Sequence, residues 1–409
     1  MAICGCSASC SSSPPPGWRW RRPGSPTSSP ASIPGSTTTA KRWRNCRSWS
    51  ARSAQAPDGD GARAALPSAL APHSSQPVVP SFSPAPGLRS AFLQSVLASK
   101  RPVRWLWRRR GLDLNALSSL RHFLVRDESG AAVTLTGWHT PSANAKALVV
   151  LIHGWEGGQD SSYLYGLACS LHRAGYALVR LCMRDHGSTH HGLNEQMFHS
   201  ARLREVAEGV LAAQALEPGL PLFVVGFSLG GNFALRMALR GGEYGVNPRL
   251  SIGISPAINP RSTLIGINEG PKLVNRYFLD KWRKTMDAKA AAFPGRYDFS
   301  RHRAIADFTE ITRAFVEDHT EFETLDHYLE QYTLTPAMLM ASPQPLAILT
   351  ARDDSVCPPA DFEGLKAGGK VVAYAATERG GHCGFIENWK LDSWAEARVL
   401  ELLAQSLAS

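Results

Sequence analysis

The chain has 409 residues, 44% hydrophobic and 19% charged, with a formal net charge of +10, which is enough for a large buried core and excludes a fibrous or wholly disordered protein. The charge is uneven, because residues 1–110 hold 16 Lys and Arg against only Asp58 and Asp60, and the rest of the chain is slightly acidic. The main domain therefore gives no electrostatic case for nucleic acid or an anionic membrane, and no run approaches the roughly 18 apolar residues of a membrane span.

Residues 1–88 read as a disordered Ser/Pro/Arg-rich head, since 14 of the 28 prolines fall within the first 87 residues and large aliphatics are few. Such a stretch buries too little apolar surface to offset the entropy of ordering it. Three readings of it compete: a cleaved targeting segment, a basic interaction tail around Trp18 to Arg22, and a non-native extension of the reading frame, which is favoured. Without an apolar signal segment the expected location is cytoplasmic. Cys4, Cys6, Cys10 and Cys46 lie in the head, and Cys169, Cys182, Cys357 and Cys383 in the domain, where they read as reduced thiols.

Residues 89–409 show repeated alternation of strand and helix. Ala147 to Ile152 predicts a buried strand ending at His153-Gly154, followed by a helix around Tyr165 to Ala174 and a strand over Ala177 to Leu181. Apolar residues at near-helical spacing predict a helix over Ser200 to Leu216, stopped before Pro218. The valine-rich run Leu222 to Val225 suits a strand buried on both faces, and Leu229 to Arg240 a helix. Further strands are expected at Leu250 to Ile254, Pro345 to Thr350 and Lys370 to Tyr374. The fold class is α/β, a mostly parallel sheet with helices on both faces. At about 257–341 the alternation breaks into a mostly helical stretch, too long for a loop. It is expected as a cap over the carboxyl ends of the strands, where ligands bind in open sheets of this type. Its aromatics, Tyr277, Phe278, Trp282, Phe315, Phe322, Tyr328 and Tyr332, are expected mainly to pack the cap, with lining of an acyl pocket as the alternative.

Between the valine-rich strand and the next helix stands Gly226-Phe-Ser228-Leu-Gly230. This G-x-S-x-G pattern in a strand-turn-helix setting marks a serine held exposed on a sharp turn, with small residues two positions either side so that the backbone can pass closely. A serine hydroxyl is a poor nucleophile near neutral pH and needs a base that is itself oriented by a carboxylate. Serine, acid and histidine follow in that order at strand ends in such sheets, and here Asp353-Asp354 and His382 occupy those places. His382 is assigned as base and Asp354 as the acid that orients it, with Asp353 the alternative; the other aspartate is expected to cap the following turn. The glycines around His382 suit a mobile loop. An oxyanion needs N–H donors, and the backbone amides of Leu229 and Trp155 are the candidates. The cluster Arg184-Asp185-His186 with His190-His191 is read as loop-holding rather than metal-binding, because its spacing is not that of a ligand set. No metal or cofactor is called for.

Taken together, HGWEGGQDSSYLYGL (153–167), RDHGSTHHGLNEQMFHS (184–200), GFSLGGN (226–232), ISPAINP (254–260), Asp353-Asp354 and GGHCGF (380–385) resemble the α/β-hydrolases of the YheT type and the related abhydrolase-domain lipid hydrolases over roughly residues 90–400. The resemblance implies hydrolysis of lipid or short-acyl carboxylic esters by Ser228, Asp354 and His382. Acyl transfer or thioester cleavage on the same residues, and a non-catalytic binding role for the fold, are the alternatives. Three positions depart from the family pattern: Trp155 stands where an aliphatic residue is usual, Ser355 replaces a proline, and Cys383 a valine. The bulk of Trp155 bears on the size of the acyl pocket.

Overall fold

A computed structural model describes residues 81–187 and 191–409; the expectations for residues 1–80 and His190 lie outside them. Eight strands form one sheet in the order β1-β2-β4-β3-β5-β6-β7-β8. They are β1 (Ser119–Arg126), β2 (Ala132–Thr140), β3 (Leu148–Ile152), β4 (Ala177–Cys182), β5 (Leu222–Phe227), β6 (Leu250–Ile254), β7 (Leu346–Ala351) and β8 (Val371–Thr377). From β4 to β8 every pairing is parallel, whereas β1 and β2 run antiparallel at the edge. Strands β3 to β7 are buried at every position, as central strands covered on both faces must be.

Helices α1 (Ala91–Lys100) and α2 (Val103–Arg109) precede the sheet, and α3 (Ser162–Arg173), α4 (Leu203–Gln214) and α5 (Leu229–Arg240) connect its strands. Between β6 and β7 lie six helices, α6 (Pro260–Glu269), α7 (Lys272–Ala292), α8 (Ser300–Arg303), α9 (Phe308–His319), α10 (Leu325–Glu330) and α11 (Pro336–Met340), in place of a loop. Helix α12 (Trp394–Ala408) closes the chain. Among the described residues no helix is long and apolar enough to cross a membrane.

The boundary drawn at residue 88 falls inside packed structure. Phe82 and Leu88 are buried, the Phe82 ring meets Phe385 and Trp394 at centroid distances of 5.9 Å, and the Ala85 N–H donates to the Glu387 carbonyl. The proline-rich composition concealed these two apolar anchors.

Helix α7 is fixed to the sheet by a buried ion pair. Lys289 Nζ donates to Asp185 Oδ1 at 2.9 Å and to the Gln196 carbonyl at 3.2 Å, with neither charged side chain more than 1% exposed. Removing one partner strands a charge in the interior. Lys289→Met is therefore expected to cost about 3–5 kcal/mol of unfolding free energy, read by urea denaturation; a loss under about 1 kcal/mol would show that Asp185 is satisfied without the lysine.

Candidate active site

Strand β5 delivers Ser228 to the carboxyl edge of the sheet at φ 53°, ψ −119°, where the N-terminus of α5 begins. Such a conformation costs a residue with a side chain about 1–3 kcal/mol. It is held by a 2.9 Å bond from the Ser228 N–H to the Ile254 carbonyl, while the Ser228 carbonyl accepts from Asn232 and Ala257. The spacing of the small neighbours follows from this crossing. A Cβ on Gly226 would lie 1.9 Å from the Gly230 oxygen, and one on Gly230 would lie 2.3 Å from the Ile152 oxygen.

His382 sits after β8 with Nε2 2.9 Å from Ser228 Oγ. Its Nδ1 lies 2.9 Å from Asp354 Oδ2 and 3.1 Å from Oδ1, so one ring nitrogen faces the carboxylate and the other the hydroxyl. Burial by itself disfavours a charged imidazole, but the Asp354 carboxylate outweighs it and holds the His382 pKa well above its ordinary value.

The two aspartates divide their work differently from the expectation. Asp354, not its neighbour, caps the turn: its Oδ1 accepts from the Val356 N–H at 2.8 Å and the Cys357 N–H at 3.0 Å while the same carboxylate faces His382. Asp353 turns the other way and accepts from the Gly381 N–H at 2.8 Å, which ties the histidine loop back to the end of β7.

The glycines of that loop are demanded by close packing. A Cβ on Gly381 would lie 2.3 Å from the Ala91 carbonyl oxygen of α1. The same helix supplies Ser95, whose Oγ accepts from the His382 N–H at 2.8 Å. It also supplies the buried Gln94, which accepts from the Ile386 N–H at 2.7 Å and donates to the Leu88 and Ile386 carbonyls. Neither residue carries a sequence signal for this task, since Ser and Gln on a helix preceding the sheet read as surface.

The loop after β3 carries His153 to Gly158. Met183 N–H donates to His153 Nε2 at 3.2 Å, so His153 Nδ1 carries the proton and donates to the Gly154 carbonyl at 2.7 Å, joining this loop to the one after β4. Among the described residues neither the Trp155 nor the Leu229 N–H has a hydrogen-bond partner. The Trp155 ring packs under the helical insertion, with centroids 5.8 Å from Phe278, 5.3 Å from Trp282 and 5.3 Å from Phe308. Next to it, burial pushes the Glu156 carboxyl up to about 7 although Thr285 Oγ1 donates to it at 2.7 Å.

In the loop after β4, Arg184 reaches the Glu205 carboxylate at 2.5 Å, Asp185 accepts from Lys289 and from the Phe198 N–H, and His186 Nδ1 lies 2.6 Å from the Arg184 carbonyl. These contacts hold the loop. Cys169, Cys182, Cys357 and Cys383 are free and buried, and burial pushes the Cys357 thiol up to about 12, so it stays neutral beside the histidine.

Ser228 and His382 border a cavity of about 800 Å³ that runs between α1, α7 and the loop after β3. Ser228 also borders a second cavity of about 100 Å³, walled by the aromatics of the insertion. Trp282, Phe315, Tyr328 and Tyr332 line this smaller space, Phe278 lines both and Tyr277 the larger one; Phe322 lines neither.

Over 274 residues the chain is 26% identical to the Escherichia coli (strain K12) protein named "Putative esterase YheT", covering 65% of this chain and 78% of that one. Among solved structures it is similar to the Pyrococcus furiosus esterase Pf2001, at 15% identity over 72% of this chain and 94% of that one, with a TM-score of 0.45. It is also similar to a membrane phospholipase A described as a bacterial virulence factor, at 17% identity over 78% of this chain and 96% of that one, with a TM-score of 0.45. Likeness of that degree says nothing of activity. Residues 149–391 match the alpha/beta hydrolase family, and with that match spanning more than half of the sequence, the chain belongs to this family.

Proposed function

We propose that the protein is a serine hydrolase that cleaves carboxylic esters through an acyl-enzyme intermediate. The observation that carries this reading is the unbroken line of hydrogen bonds from Asp354 through His382 to Ser228 at the wall of a cavity. The esterase name of the Escherichia coli relative agrees with it.

Ser228 Oγ attacks the ester carbonyl carbon as His382 Nε2 takes its proton, and Asp354 holds the ring tautomer and stabilises the imidazolium. The carbonyl oxygen becomes an oxyanion, for which the unpaired N–H groups of Leu229 and Trp155 are the donors; each such donor is worth about 100- to 1,000-fold in rate. His382 then protonates the departing alkoxide. Water, deprotonated by the same imidazole, attacks the acyl carbon, and the imidazolium returns that proton to Ser228 Oγ as the acyl–Oγ bond breaks and the acid leaves. Chemistry of this kind needs no cofactor.

A fluorophosphonate probe applied to the folded protein tests the reading. It is expected to modify Ser228, located by peptide mass spectrometry, and to leave Ser228→Ala unlabelled. Folded protein that resists the probe would overturn the assignment.

A further inference from the structure

Resting on the esterase reading above, we infer that the preferred substrates are esters of short acyl chains, about four carbons long, with bulky alcohols, and that the Trp155 side chain sets the acyl limit.

The two cavities at Ser228 differ in size and in the exposure of the residues that border them. The larger, about 800 Å³, is bordered by the solvent-exposed Phe92, Leu273 and Tyr277 and by Lys284, so it opens to water. The smaller, about 100 Å³, is walled mainly by Leu264, Trp282, Phe308, Phe315 and Tyr328, all buried, with the buried His199, Ser200 and Thr312 also on its lining. Trp155, Ser228, Phe278 and Val356 border both, and the Trp155 ring, the bulkiest of these, is held by Phe278, Trp282 and Phe308.

The position of the base decides which part of the ester enters which space. His382 borders only the larger cavity, and Leu229 only the smaller. The imidazole must pass its proton to the leaving oxygen and later take one from water, so alcohol and water belong on its side. That side is also open, which lets the alcohol leave before deacylation. The acyl tail, which stays bonded to Ser228 until water arrives, is left with the smaller space, walled mostly by buried apolar side chains. There it gains burial and brings no polar group that would need a partner.

Volume then sets the length. A dry apolar cavity of about 150 Å³ takes a benzene ring of six carbons; by proportion the smaller cavity takes about four. A longer chain meets the wall formed by Trp155 and the insertion aromatics. Each methylene that a pocket rejects or loses changes kcat/KM by about 10- to 200-fold.

The test uses the full chain and two ester series. In the first, p-nitrophenyl esters run from acetyl to dodecanoyl; in the second, the acyl group is butanoyl and the alcohol is phenol or 2-naphthol. The wild-type protein is expected to favour butanoyl over octanoyl by at least about tenfold, with the naphthyl ester used within about threefold of the phenyl ester. Trp155→Ala, which keeps the backbone N–H, joins the cavities and is expected to raise the octanoyl-to-butanoyl ratio at least about tenfold. Phe315→Ala, opening the far wall, gives a second route to the same shift if the tryptophan variant does not fold. A flat wild-type profile, rejection of 2-naphthyl with acceptance of octanoyl, or an unchanged ratio in a folded Trp155→Ala would each overturn the inference while leaving the esterase reading intact. Folded protein that hydrolyses no ester in either series and leaves Ser228 unlabelled by fluorophosphonate would remove both.

Discussion

Ser228→Ala is expected to lower kcat/KM on p-nitrophenyl butanoate by about 10⁶-fold, leaving only the rate that binding and the oxyanion donors supply without a nucleophile. The Oγ atom has His382 as its hydrogen-bond partner, so removing it breaks the relay at its reacting end. Its loss leaves intact the backbone bonds that hold the turn, from the Ser228 N–H to Ile254 and to the Ser228 carbonyl from Asn232 and Ala257. The variant should therefore fold, and its urea midpoint is expected to match that of the unchanged protein. A residual rate within about tenfold of the original would mean that another group attacks the ester.

Asp354→Asn is expected to lower kcat/KM about 10⁴-fold, because an amide in place of the carboxylate fails to hold the His382 tautomer or to stabilise the imidazolium. The pH profile separates this role from a merely structural one. His382 works as a base only when neutral, and its pKa is held well above the ordinary 6.5 by Asp354 against the opposing effect of burial. Activity of the unchanged protein is therefore expected to rise with pH through a value above 6.5. In Asp354→Asn burial loses its main opponent, and the same limb should move to lower pH. Glu156, pushed up to about 7 by burial in the same cavity, titrates in a nearby range, so Glu156→Gln serves as the control that shows which limb belongs to the histidine. A limb that stays in place when Asp354 is neutralised would separate the carboxylate from the base.

Much of this site could be read from residue order because its backbone geometry dictates residue type. The turn at Ser228 brings position 226 against position 230, and position 230 against the end of β3, closely enough to exclude any Cβ, so the glycines announce the turn. His382 and the aspartates were legible from their places after the last two strands of a parallel sheet. The choice between Asp353 and Asp354 was not, because it depends on which carboxylate faces the turn N–H groups of Val356 and Cys357 and which faces Gly381.

The edge of the sheet was hidden for a different reason. Strand β1 buries only Phe123 and Val125 among its eight residues, so it carries almost no alternating pattern, and β2 buries Thr136, Gly137, His139 and Thr140 beside Val133 and Leu135, so its sequence lacks an apolar run. The support from α1 was equally hidden. Gln94 and Ser95 act on backbone groups almost 300 positions away, and no local pattern marks a helix that will be pressed against a distant glycine loop. The same holds for the two cavities, whose walls come from segments that meet only when the insertion folds over Trp155.

The most direct measurement mixes the protein with p-nitrophenyl butanoate, quenches with acid during turnover, and maps the modified peptide by mass spectrometry. A butanoyl group is expected on Ser228, appearing with the burst of p-nitrophenol and decaying with steady-state turnover. Rapid hydrolysis with Ser228 unmodified at every quench time, or the acyl group on another residue, would contradict the proposed acyl-enzyme on Ser228.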